Sequence, residues 1–142
     1  MSPTGIPRWG ATLGDYGSCR KIAVDGRDLI WVLYGEPYLL SADGVLLNDA
    51  ADNNTDYGTW PIDDFVPNPS DAGVYLATRK VVAPSVLVSR VVSLDGKLAT
   101  RWVWNDPEGT ARIDRLVTDP AGNLIGVGRV LHSRRARCSQ LL

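Results

Sequence analysis

Histidine is almost missing from this 142-residue sequence, and a single one, His132, excludes any metal site that needs two imidazoles. A Ser-His-Asp arrangement would have to be built around that residue, which lies in the basic run Leu131-His132-Ser133-Arg134-Arg135 and reads as a solvated loop histidine. Cysteine is as scarce. Cys19 and Cys138 are far apart, lack Cys-x-x-Cys spacing and are too few for a disulfide framework, so free buried thiols are expected. Neither sign of charge is in excess: 15 basic residues stand against 16 acidic ones, which removes the electrostatic case for nucleic acid or an anionic membrane. The local cluster Arg129, Arg134, Arg135 and Arg137 reads as a solvated end of the chain. No apolar run approaches the roughly eighteen residues of a transmembrane helix. The opening residues, MSPTGIPRWG, lack the charged and apolar regions of a secretion signal. A soluble chain without membrane insertion is therefore expected.

Chemistry-bearing patterns are missing too. Glycine-rich phosphate loops are absent, and the paired carboxylates Asp63 and Asp64 are neighbours, which on a strand face opposite sides and cannot share a substrate. The expectation is a protein that is not an enzyme and has no cofactor. Helical periodicity is also lacking, because Pro, Gly or β-branched runs interrupt every candidate stretch.

What is present is strand after strand. Lys21 to Val24, Leu29 to Tyr34, Tyr38 to Ser41, Val45 to Leu47, Val74 to Arg79, Val86 to Leu94, Leu98 to Trp104, Ile113 to Thr118 and Leu124 to Val130 are short apolar segments separated by turn residues. The stretch Arg112 to Arg129 states the pattern best: two apolar runs flank Asp119-Pro120-Ala121-Gly122-Asn123, where Pro presets a turn φ and Gly or Asn supplies a positive one. Gly126 and Gly128 share a face of its second strand, and there predict close approach by an adjacent sheet.

This hairpin has counterparts in Ile22 to Gly35 and Phe65 to Lys80. Placing Ile30, Tyr75 and Ile125 in register gives repeats of forty-five and fifty residues. A third strand then leads to Ser41-Ala42-Asp43-Gly44 in one unit and Ser93-Leu94-Asp95-Gly96 in the next, each followed by a fourth strand. Four strands per forty to fifty residues is the arithmetic of a propeller blade. The third unit stops early, with Leu141-Leu142 aligned to Leu39-Leu40 and Val91-Val92. Ser2-Pro3-Thr4-Gly5 and Pro7-Arg8-Trp9 match Ser93 to Gly96 and Thr100-Arg101-Trp102 at the other end. The expected organisation is one all-β domain of three repeats, about 14–61, 62–111 and 112–142. Residues 2–13 would be the strand completing the last, from the same chain or from a neighbour.

These units resemble the β-propeller repeats with Asp-Gly turns found in bacterial and phage surface and virion proteins. The resemblance spans nearly the whole chain and implies antiparallel four-stranded blades, about three per chain. A β-sandwich is the alternative, since hairpins with Asp-Gly turns occur there as well. Three blades are fewer than typically close a ring, so a homo-oligomer is expected, two chains giving six blades. The resemblance further implies a virion or extracellular particle surface, and a structural or recognition role in a larger assembly, such as a phage tail, neck or fibre involved in assembly or host attachment. Its partners would be other proteins of that assembly.

Two features lie outside the repeat. In the polar loop Asn48 to Pro61, Asp52, Asn54 and Asp56 alternate, and Asp63 follows eleven residues after Asp52, as in an EF-hand-like calcium loop. Tyr57 stands where that loop wants glycine, so a solvated Asx-rich loop and a calcium site are both open. Tyr57 and Trp60 in the same loop are the ligand-binding candidates. An aromatic face stacking on a cell-surface glycan makes a lectin-like propeller the second functional reading. Trp31 and one of Trp102 and Trp104 are assigned to the core; Trp102 and Trp104 share a face, with Val103 opposite.

Overall fold

Alternating β-branched and aromatic residues suit a pleated, half-buried surface, and in the computed structural model they form eleven strands and no helix among the described residues, 9–13, 19–49, 60–83, 86–132 and 135–140. Strands β1 (Cys19–Val24), β2 (Ile30–Tyr34), β3 (Glu36–Leu40) and β4 (Leu46–Asp49) make one antiparallel sheet in sequence order. A second contains β5 (Ile62–Pro67), β6 (Val74–Ala83), β7 (Val86–Leu94) and β8 (Thr100–Asn105). The third has β9 (Ala111–Thr118), β10 (Leu124–His132) and β11 (Arg135–Gln140). The described residues form no closed barrel or ring. Residues 9–13 are not a strand, and Ser2 to Arg8, Leu141 and Leu142 lie outside the described residues.

Four hairpins share one turn. In Asp25–Leu29, Ser41–Val45, Asp95–Ala99 and Asp119–Asn123 the first amide donates to the fifth carbonyl and the fourth amide to the first carbonyl. The fourth residue has positive φ: Asp28 at 60°, Gly44 at 79°, Leu98 at 63° and Gly122 at 85°. This is a type I turn followed by a left-handed residue. The leading side chain secures it: Asp95 Oδ1 accepts from the Lys97 and Ala99 amides at 2.8 and 3.0 Å, Asp25 Oδ1 from Arg27 and Leu29 at 2.9 and 3.1 Å, and Ser41 Oγ from Val45 at 3.2 Å. The Asp-Gly pairs therefore act differently from one another. In Asp25-Gly26 and Asp95-Gly96 the aspartate leads the turn, and the positive φ falls on Asp28 and Leu98. In Asp43-Gly44 the glycine takes it while Ser41 leads.

The turns correct the register of the repeats. Val24 pairs with Ile30, Pro67 with Val74 and Thr118 with Leu124, so Ile30, Val74 and Leu124 are equivalent, and the first spacing is 44 residues where sequence alignment gave forty-five. The loop before Val74 is one residue longer than its counterparts. Ser41 likewise matches Asp95, and Leu39-Leu40 stand level with Ser93-Leu94, two residues beyond Val91-Val92.

With this register the packing becomes regular. Trp31, Leu33 and Leu39 of the first sheet pack on Phe65, Val74, Leu76, Val92 and Leu94 of the second. Tyr75, Ala77 and Val91, on the opposite face of the second sheet, pack with Trp104 against Ile113, Leu116 and Leu124 of the third. Tyr75 and Ala77 are the equivalents of Trp31 and Leu33. Each sheet thus offers the same face forward, and the next receives it on the same rear face. Trp31 is fully buried and Trp104 half-buried, while Trp102 is 44% exposed and rests on Tyr75, ring centroids 5.8 Å apart.

One buried carboxylate ties all three sheets. Asp64 Oδ1 meets Lys21 Nζ of β1 at 2.8 Å, and Oδ2 accepts from the Leu116 amide of β9 at 2.8 Å. Lys21 also donates to the Phe65 carbonyl at 2.6 Å. Removing a buried partner strands the other groups, so Asp64→Ala should lower the unfolding free energy by about 3 kcal/mol. Urea unfolding measures this directly; a change under 1 kcal/mol would assign the joint to apolar packing alone.

Candidate functional site

Of the residues expected to bind ligand or metal, Tyr57, Asp52, Asn54 and Asp56 lie outside the described residues. Trp60 is half-buried, with the Arg90 guanidinium 4.0 Å from its ring centroid and Lys80 Nζ at 5.9 Å. Cations of the protein itself thus lie against the Trp60 ring. Asp63 sits on β5 as a bulged residue between Ile62 and Asp64, and its Oδ1 lies 3.2 Å from Arg79 Nε. No group of three His, Cys, Asp or Glu among the described residues is placed to hold a metal ion. The Cys19 thiol is free and exposed, not buried as expected. Asp63 and Asp64 have different partners: Asp63 faces Arg79, and Asp64 faces Lys21 and the third sheet.

The bulge at Asp63 recurs in the first strand of every sheet. Pairing skips Arg20 in β1, Asp63 in β5 and Asp114 in β9, at equivalent positions. Bulges turn side chains out of the pleat, and here they gather charge along the edge strands β1, β5 and β9. Arg20 donates to the Ile62 carbonyl at 3.2 Å; Asp114 meets Arg112 at 2.7 Å and Arg129 at 3.0 Å. Burial opposes ionisation of Asp114, but the Arg129 hydrogen bond and the charges of Arg112 and Arg129 hold its carboxyl below the usual range. For Asp63 burial wins over the charges of Arg79 and Arg112 and pushes the carboxyl up, and its Oδ2 is buried with no hydrogen-bond partner among the described residues. Gly128 belongs to this device. A Cβ there would collide with the Arg112 carbonyl across the bulge, so its close approach is within the third sheet and not to an adjacent one.

The rear face of the first sheet presents a different surface. Ile22, Val24, Ile30, Val32 and Tyr34 line an apolar groove of about 540 Å³, walled on its other side by Trp9 to Leu13. Trp9 Nε1 donates to the Ala42 carbonyl at 2.9 Å, and its ring lies where a Cβ on Gly44 would be. Leu13 packs on Val32, Tyr38 and Leu40. Ile22 and Val24 remain 60% and 61% exposed. Ile22 is the equivalent of Phe65 and Leu116, each 1% exposed against the sheet before it. Residue-by-residue reading passed over this face, because Ile22 to Val32 is a plain hairpin by pattern. Its signal was apolar residues on both faces of the first sheet, legible once the repeats are in register. A smaller groove of about 440 Å³ lies between Val91, Trp102, Trp104 and Leu124.

No model of a known protein family matches the chain, and no curated protein matches it. The functional reading therefore rests on these surfaces.

A buried carboxyl with a raised value takes its proton in the folded state before it does in the unfolded one. As pH falls from 7 through that raised value toward the unfolded carboxylate value near 4, Asp63 adds stability; above the raised value its ionised form withholds it. Asp63→Asn should stay within about 1 kcal/mol of the parent at pH 7 and lose this acid-side gain. Urea unfolding from pH 7 to 4 reads both; identical pH slopes for parent and variant would contradict the assignment.

Proposed function

We propose that the chain is a non-enzymatic structural and recognition component of a larger assembly, built on propeller-like stacking of blade-like sheets. The observation that carries this is the rear face of the first sheet. Burying a Val or Ile side chain contributes roughly 1.5–3 kcal/mol, and Ile22 and Val24 leave most of that unused in a surface continuous with the groove beneath Trp9 and Leu13. Contiguous apolar surface of this kind marks a site of protein contact. Among the described residues, several ionisable groups tie the architecture together: Asp25 with Arg27 and Trp31, Asp64 with Lys21 and the Leu116 amide, Asp71 with Arg101, and Asp114 with Arg112 and Arg129. The propeller-repeat resemblance adds the setting, a phage virion in which the chain serves assembly or host attachment.

The test is retention in native particles. Val24→Asp changes an exposed side chain, so its effect on folding should be within about 0.5 kcal/mol. After density-gradient separation of particles from the natural source, the parent chain should travel with the particle fraction and Val24→Asp should remain at the top. Equal distribution of the two, or a parent found only as free protein, would refute the reading.

A further inference from the structure

We infer that the rear face of the first sheet is the seat of the third sheet of a second copy of this chain, joined head to tail. The inference rests on the assembly reading above and names its partner.

The internal joints supply the template. At both, a forward face lies on a rear face, and equivalent positions recur: Ala23, Trp31 and Leu33 go forward from the first sheet, and Val66, Tyr75 and Ala77 from the second. The matching positions of the third sheet are Val117, Ile125 and Val127. Val117 is 48% exposed, although Ala23 and Val66 are packed within their joints. The chain therefore ends in an apolar forward face on one side and an apolar rear face on the other. The first and third sheets lie against opposite faces of the second, so these two outward faces point away from each other within this stack.

The Trp9–Leu13 segment lies against the same rear face. Leu13 packs on the cluster of Val32, Tyr38 and Leu40. It covers that face only in part, since Ile22 and Val24 remain 60% and 61% exposed. An unlike pair of complementary ends makes a heterologous interface, which closes as a ring or runs on as a filament. Two copies supply six sheets, within the roughly four to eight over which such stacks close.

Two single-cysteine variants test this, each in a background with Cys19→Ser and Cys138→Ser: Ile22→Cys on the rear face and Val117→Cys on the forward face. Their counterparts occupy one cluster at both internal joints, Ala23 with Phe65 and Val66 with Leu116. Purified proteins are mixed, oxidised mildly and separated by mass under denaturing conditions. Head-to-tail stacking predicts a disulfide-linked pair of chains in the mixture and none with either variant alone. Pairs formed by Ile22→Cys alone would mean like faces meet and would overturn the inference. So would a mixture with no cross-link and a 15.4 kDa mass in solution by light scattering. In that event, particle retention that still depends on Val24 would leave the assembly reading standing with a different partner.

Discussion

Asp64 is the point on which the three sheets turn. Its carboxylate is buried, and both oxygens are used, one by an ammonium from the sheet before and one by a backbone amide from the sheet after. A buried carboxyl group is stable only while those donors stay within hydrogen-bond reach, so it sets the spacing of β1, β5 and β9 along one edge of the stack. Outward from that edge the directional contact gives way to packing. Trp31, Phe65 and Leu76 fill one joint, Ala77, Ile113 and Leu116 the other. The polar contact aligns the sheets, and the apolar residues supply most of the adhesion.

A stack made by repeating one joint necessarily has two unlike ends. The Asp64 position illustrates how the ends differ from the interior: it is Lys21 in the first sheet and Arg115 in the third. A joint between copies would therefore bring Arg115 forward where Asp64 stands inside the chain, and could not reproduce the carboxylate bridge. Adhesion there falls to the apolar faces, which accounts for a rear face as apolar as Ile22, Val24, Ile30 and Val32 make it.

Much of the fold was legible in the sequence because strands and turns are local. Alternation placed Leu124 to Val130 and Val86 to Leu94 close to their observed bounds, and the antiparallel four-stranded sheets follow from short connections between neighbours. Register was not legible to the residue. Identical letters, Ser-x-Asp-Gly, play different parts in the two turns because Ser and Asp can both lead the same hydrogen-bonded loop, and the left-handed position accepts Asp28 or Leu98 as well as glycine. A shift of one residue exchanges the two faces of a strand, so the apolar rear face came into view only with the corrected pairing of Pro67 and Val74. Trp60 shows the converse. An aromatic in a polar loop reads as a free binding surface, and nothing local indicates that Arg90, thirty residues away, will lie across it. The charged bulges at Arg20, Asp63 and Asp114 were invisible for the same reason: a bulge is a property of a pair of strands, not of one.

The central claim is that copies continue the stacking that operates within the chain. Electron-microscopic imaging of the purified assembly to a resolution that separates sheets tests it most directly. The account predicts sheets in multiples of three about a common axis, with the first sheet of each copy seated on the third sheet of another. A particle in which the first sheets face each other, or in which Ile22 and Val24 open to solvent, would contradict it.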